Sequence, residues 1–301
     1  MARLIIVLML AMLPMLPSWG QSCCSAGSIS SCNASAGLLT GYRNNSAGVR
    51  WIYVPFYAKA TDEPAYTDNF YLAELFARYQ VSDRIKVSAQ LPYRWNVRNT
   101  AGDLERRSGL ADAHIMGSYA LQNNKMLSET AKLYWEMGMG IKLPTGQYDE
   151  GILFRDLPGN FNIGTGNMGY LLQSNFVFSR NKVGMGLSTA YQLNGPSRDG
   201  YQYGDQLSAA LTLFGEMSVG TKSKLIPVGG LTYEQFGKNK FKSGNIAEGS
   251  GGKGLFLMGS LFYRISEWQA GGSFSMPVAQ NYSQNGIEAR NRLMLELTYF
   301  F

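Results

Sequence analysis

Three cysteines, one histidine and a series of basic residues are the parts of this chain whose types could do chemistry. Cys23, Cys24 and Cys32 all fall within "SCCSAGSISSC". In an oxidising compartment Cys32 can close a small loop with either Cys23 or Cys24, leaving one thiol over. Their spacing matches no standard zinc pattern, no Cys-x-x-Cys-His motif exists, and Gly20-Gln21-Ser22 before Cys23 lacks the apolar residue of a lipid-attachment site. His114 is the only histidine, with Ser118 four residues later. On one strand the two share a face but stand about 13 Å apart, too far for a base to activate a hydroxyl nucleophile. "GIKLPTG" at 140 to 146 resembles a phosphate-binding loop only superficially, because no Lys-Ser or Lys-Thr follows its last glycine. The residues therefore assign no catalytic group, metal or cofactor.

The basic residues acquire meaning once the elements that carry them are read. In "RIKVSAQLPYRWNVR", Ile85, Val87, Ala89, Leu91, Tyr93, Trp95 and Val97 alternate with a face that includes Arg84, Lys86, Arg94 and Arg98. In "KLYWEMGMGIKLP", Leu133, Trp135, Met137, Met139, Ile141 and Leu143 alternate with Lys132, Tyr134, Glu136 and Lys142. The last segment, "LMLELTYFF", puts Leu293, Leu295, Leu297, Tyr299 and Phe301 on one side and Glu296 and Thr298 on the other. A period of two is a strand. The first two runs are about twice the length of an ordinary globular strand, with charge on one face only. Lipid outside and water inside is the simplest arrangement that rewards this pattern.

Both chain ends agree. Arg3 precedes the apolar run "LIIVLMLAMLPMLP", and Ser18 and Gly20 stand at the minus-three and minus-one positions of a cleavage site, so residues 1 to 20 read as a secretory signal. No other stretch has the apolar length of a transmembrane helix. At the far end, Tyr299 and Phe301 resemble the C-terminal signal read by the barrel-assembly machinery, and the strand closes the barrel instead of leaving an exposed edge. Composition fits: 45% of residues are hydrophobic, yet mean hydropathy is only -0.14, as alternation requires. The net charge of +6, or +5 without Arg3, is too scattered for nucleic acid.

Twelve such segments are predicted, at about 50 to 60, 71 to 81, 84 to 98, 111 to 121, 132 to 144, 169 to 180, 182 to 194, 205 to 217, 223 to 236, 254 to 266, 268 to 279 and 288 to 301. The fold class is thus all-β: an antiparallel transmembrane barrel of about twelve strands, with short periplasmic turns and long extracellular loops. The chain divides into the signal, a Cys-containing leader or plug at 21 to 49, and the barrel at 50 to 301. Long connections are expected at 61 to 70, 99 to 110, 145 to 168, 195 to 204, 237 to 253 and 280 to 287.

Alternation points Glu74, Arg78, Arg84, Lys86, Arg94, Arg98, Asp112, His114, Lys132, Glu136, Lys142, Arg264, Arg290, Arg292 and Glu296 inward. Leaving out His114, that is ten cations to four anions. Either the lumen leans toward anions, or pairs such as Arg78 with Glu74 and Lys132 with Glu136 neutralise it internally. As lumen residues, Arg84, Arg94, His114, Lys132, Glu136, Lys142, Arg290, Arg292 and Glu296 would line a pore.

"GIKLPTGQYD" followed by "LPGNFNIGTGNMGY" resembles the family of Gram-negative outer-membrane barrels named for the meta-cleavage pathway of phenol degradation, in which a Lys-x-Pro-Thr-Gly strand end leads into a long loop closing on Gly-Thr-Gly. The matching residues are Lys142, Pro144, Thr145, Gly146, Gly164, Thr165 and Gly166. "GLADAHIMGSYAL" upstream is similar to the family's Gly-Leu-Gly-Asp strand, with Ala111 in place of glycine. The resemblance implies a transporter of small molecules, aromatic ones included, in the outer membrane. Gly146, Gly164 and Gly166 read as turn positions that fold the 145 to 168 loop over the mouth. The expected partners are outer-membrane lipids, the assembly machinery and a small solute, around a monomer. The alternative is a non-conducting barrel that displays its loops or anchors a periplasmic partner.

Overall fold

The computed structural model describes residues 45–59, 64–152 and 157–301. The signal, the three cysteines and the leader as far as residue 44 lie outside the described residues. From Ser46 the chain forms one antiparallel sheet that closes on itself. Its strands are β1 (Ser46–Ala58), β2 (Tyr66–Gln80), β3 (Ile85–Thr100), β4 in two pieces (Asp103–Leu110 and Ala113–Met126), β5 (Ala131–Leu143) and β6 (Gly169–Arg180). Then follow β7 (Val183–Asn194), β8 (Gln206–Gly215 with Met217–Ser218), β9 (Ser223–Phe236), β10 (Gly252–Ile265), β11 (Trp268–Tyr282) and β12 (Ile287–Ala289 with Arg292–Phe300). Each strand pairs with the next, and β12 returns to β1 in register from Ser46↔Phe300 to Tyr53↔Leu293.

The twelve predicted strands are all present, with two corrections. Residues 46 to 49, taken as leader, belong to β1. Residues 99 to 110, taken as a loop, continue β3 into β4 as a hairpin through Ala101 and Gly102, both at positive φ (52° and 103°). The hairpin lacks an apolar face because it projects beyond the sheet's lipid-facing band, and without that face the alternation argument had nothing to read.

Side chains alternate as expected. On β12, Arg292, Met294, Glu296, Thr298 and Phe300 are buried while Leu293, Leu295, Leu297 and Tyr299 are exposed. Aromatic groups bound the apolar outer band. Trp51, Tyr53, Tyr71 and Trp95 stack along its loop side; Trp268, Tyr299 and Phe301 mark the opposite rim.

The interior is not the uniformly polar channel that alternation suggested. Ile52, Val54 and Phe56 on β1 join Phe214, Ile226, Val228, Phe256, Met258, Phe262 and Met294 in a hydrophobic core filling the β8–β12 side of the lumen. β10 is apolar on both faces, with Phe256, Met258 and Phe262 inside and Leu257, Leu261 and Tyr263 outside. Polar groups are interspersed on this side, among them Thr232, Glu234, Arg292, Glu296 and Thr298, and the β3–β7 wall is the more polar of the two.

Met137 sits mid-strand on β5 and points outward, 51% exposed. If that face meets hydrocarbon, Met137→Arg should lower stability by about 2–4 kcal/mol in urea unfolding from phospholipid vesicles. A loss below about 0.5 kcal/mol, typical of a watery surface, would contradict the assignment.

Candidate functional site

The Lys-x-Pro-Thr-Gly motif repairs a break in the barrel wall and anchors a loop in the process. β4 is interrupted at Ala111 and Asp112. Thr145 Oγ1 accepts the Ala113 N–H (2.9 Å) and donates to Ala111 O (3.2 Å), replacing the ladder bonds lost at the break. The buried Asp112 carboxylate receives Gly146 N–H at 3.0 Å, and from Thr165 both the N–H (2.8 Å) and the hydroxyl (2.5 Å). Lys142 Nζ donates to Thr165 Oγ1 (2.6 Å) and to Asn194 Oδ1 (2.8 Å). One carboxylate and one ammonium thus tie both ends of the 145 to 168 loop to β4, β5 and β7.

The three glycines do two different jobs. Only Gly166 turns the chain with positive φ (63°). Gly146 and Gly164 instead press together: a Cβ on either would lie 2.7 Å from the other's backbone. They pinch the loop shut at its neck.

Beyond the neck the loop turns inward. Phe161 and Ile163 are buried, with Phe161 against Phe70 (ring centroids 6.2 Å apart). Asn96 Nδ2 donates to Phe161 O at 2.9 Å, and Arg94 Nη1 approaches Ile163 O at 3.5 Å. Tyr203 holds Gly159 O from the neighbouring loop at 2.9 Å. On the outer side Tyr148 donates to Asp199 at 2.9 Å. Burial and the adjacent Asp199 push the Tyr148 hydroxyl up to about 12. Burial also pushes the Asp199 carboxyl upward, but hydrogen bonds from Ser197, the Tyr201 N–H and Tyr148 hold it below the usual carboxylate range.

The charges inside are balanced. Arg50, Lys86, Arg94, Arg98, Lys142 and Arg292 are buried, as are Asp68, Glu74, Asp112, Glu136, Glu234 and Glu296. That is six of each sign, so the predicted cationic excess does not hold among the buried residues. Arg50 bridges Glu74 (3.0 Å) and Glu296 (2.8 Å); Arg98 pairs with Asp68 at 2.7 Å and Arg292 with Glu234 at 2.7 Å. Glu136 takes Arg78 at 2.5 Å and Asn175 at 2.9 Å, while Lys86 Nζ reaches Tyr134 Oη at 2.7 Å. The pairs suggested by sequence, Arg78 with Glu74 and Lys132 with Glu136, are therefore not the ones formed.

Two predicted lumen residues lie elsewhere, and a third keeps its face but sits at the barrel's end. Arg84 lies in the turn before β3, exposed, and donates to the outward-facing Tyr119 hydroxyl at 3.1 Å. Arg290 sits in a two-residue bulge between Ala289 and Arg292 that reverses its side, so that it lies over the Tyr57 ring at 5.0 Å. Lys132 is on the inner face but exposed at the barrel's end. Arg94, His114, Glu136, Lys142, Arg292 and Glu296 are buried on the inner face as predicted. Sequence reasoning missed Arg50, Asp68, Asn96, Glu234 and Phe161. Arg50 opened the first predicted strand without being assigned a face, and Phe161 had no strand to give it one.

Polar side chains, most of them neutral, meet Met116 and a few charged groups around what space remains. Two voids, of about 60 and 30 Å³, share Ser88, Gln90, Met116 and Gln173 and run along the β3–β7 wall. The lower void is flanked by Arg78 and Asn175, the upper by His114 and Gln192. His114 Nδ1 has no partner among the described residues. Such volumes admit a few waters. A larger cavity of about 290 Å³ opens between Tyr191, Tyr203 and Lys240, beside the outer loops.

Fold and site together define an outer-membrane-type barrel of twelve strands whose mouth is occupied by an inward-folded loop. The family described as "Putative MetA-pathway of phenol degradation" matches residues 50–290. The chain belongs to that family. No curated protein matches it. Among solved structures, an outer membrane channel from Pseudomonas putida F1 superposes with a TM-score of 0.62 at 16% identity, over 86% of this chain and 96% of that one. The translocator domain of the autotransporter NalP from Neisseria meningitidis gives 0.48 at 10% identity, over 89% and 92%. The beta domain of a Bordetella autotransporter gives 0.49 at 10% identity, over 86% and 100%. The first likeness supports the fold; the other two add nothing to it.

Asp112→Ala should destabilise the barrel by about 3 kcal/mol, since three donors lose a charged acceptor, and should speed proteolysis within 147 to 163. A variant as resistant as the parent would show that the loop is held elsewhere. The depressed Asp199 carboxyl makes the outer latch a high-pH device: its contribution is complete above the usual carboxylate range and is lost as pH falls through the lower folded value. Cleavage of the 195 to 205 loop should therefore match at pH 7 and pH 5 and rise only below about pH 4.

Proposed function

We propose that this chain is a passive outer-membrane channel for small molecules in a Gram-negative bacterium, seen with its mouth closed by the 145 to 168 loop. The observation that carries this reading is the column of small and amide side chains on β3–β7. Ser88, Gln90, Met116, Ser118, Gln173 and Asn175, with Arg78 and Glu136, surround abutting voids, while on the opposite side an apolar core leaves a smaller void of about 20 Å³. A barrel built only as a scaffold has no need to concentrate its vacant space along one polar wall. The Pseudomonas relative, itself called an outer membrane channel, agrees with this reading. Short turns at the end holding β1's start support a periplasmic position for that end. Tyr299 and Phe301 would there serve the assembly machinery, with lipids as the other partners of a monomer.

The filled apolar half favours a second reading, a non-conducting barrel that displays its outer loops. Bilayer recordings separate the two. Because Gly146 and Gly164 touch, residues 147 to 163 can be replaced by a short linker without straining the wall. The refolded chain without residues 1 to 20 should give small steps in a planar bilayer, and the excised variant steps severalfold larger. Silence from both, with folding shown by heat-modifiable gel mobility, would establish the non-conducting barrel.

A further inference from the structure

Arg94 is the buried cation whose contacts are least complete. Arg50, Arg98 and Arg292 each pair with carboxylates, and Lys86 and Lys142 donate to neutral oxygens at 2.6–2.8 Å. Arg94 is 7% exposed and reaches only Ile163 O, at 3.5 Å. Its Nη2 has no partner among the described residues. Asp112 is the nearby carboxylate, and its oxygens are taken by Gly146 and Thr165. A guanidinium held dry with half its fork idle is costly unless something else completes it.

The loop shows what that something resembles. Ile163 O and Phe161 O stand before Arg94 and Asn96, two donors spaced one inward position apart on β3. Phe70 lies 5.9 Å from the guanidinium, with Phe161 against it. We infer that Arg94 and Asn96 form a recognition site for a small carboxylate carried on a flat apolar body, for which the two loop carbonyls stand in while the mouth is closed. A carboxylate offers the fork two acceptors at once, where the loop offers one distant carbonyl. The Phe70 ring would cover the body of the solute. Arg94 is thus a specificity residue at the point where the solute exchanges with the loop, an assignment that rests on the channel reading for how the solute arrives.

Benzoate is the probe and benzyl alcohol its neutral counterpart. Calorimetric titration of benzoate into the refolded chain in detergent micelles should show saturable one-site binding. It should weaken at least about tenfold in Arg94→Gln and in Arg94→Lys, which keeps the charge but not the fork, and benzyl alcohol should not compete. If Arg94→Gln does not fold, Arg94→Lys carries the test. Absent saturable binding, equal affinity in the folded variants, or equal competition by benzyl alcohol would each overturn the site. Bilayer recordings on the same preparations keep the two readings apart. Benzoate binding without conductance sinks the channel and leaves the site; conductance without benzoate binding does the reverse.

Discussion

Hydrocarbon offers no partner to a backbone N–H or C=O, so a sheet in a membrane must have no edge. Everything else in this protein depends on the seam where β12 meets β1. Its backbone ladder is reinforced from within. Arg50 on β1 faces Glu296 on β12 and Glu74 on β2, and bonds to both. Deep in a closed lumen such a triad is favourable only when each charge is paired, and removing one partner leaves an uncompensated ion. The triad therefore specifies the register of closure more than it adds stability: a slip of one residue would turn Arg50 out into lipid.

The same low-dielectric constraint explains the interior's division of labour. Charge packed among side chains with room for only a few waters is favourable when paired, and the buried ions come in equal numbers of each sign. On β8–β12 an apolar core surrounds the few ions, and these are paired, Arg292 with Glu234 and Glu296 with Arg50. The space left unfilled lies along the opposite wall, where Ser, Gln, Asn and Met meet the paired Arg78 and Glu136.

Much of the architecture was legible in the sequence because a lipid-facing strand is a strict code. Each of β2, β3, β5 and β12 carries its apolar residues at period two, and the number of strands, the closing strand and the sidedness follow from that. The code fails where a face has no lipid to answer to. The β3–β4 hairpin lies beyond the apolar band, so residues 99 to 110 read as loop. Between Ala289 and Arg292 one extra residue shifts the phase, and Arg290 was assigned to the wrong side. Ion pairs were the least legible, because Arg78 and Glu136 are 58 residues apart and alternation gives a side chain's face but not its neighbour. The motif at 142 to 146 announced a structured loop, yet its purpose, patching the gap at Ala111 and Asp112, required the three-dimensional wall.

That patch couples the loop to the barrel. An uninterrupted β4 would need nothing from residues 145 to 165. With the break, Ala111 and Ala113 rely on Thr145, and Asp112 relies on Gly146 and Thr165. Asp112 is held at the neck itself, by Gly146 on one side and Thr165 on the other, while Arg94 meets the loop beyond it, at Ile163 O. Thr145 and Gly146, on the near side of the pinched neck, can stay in place and keep the wall intact while residues beyond Gly146 move. The neck thus divides the loop into a near half that belongs to the wall and a far half that the wall does not need.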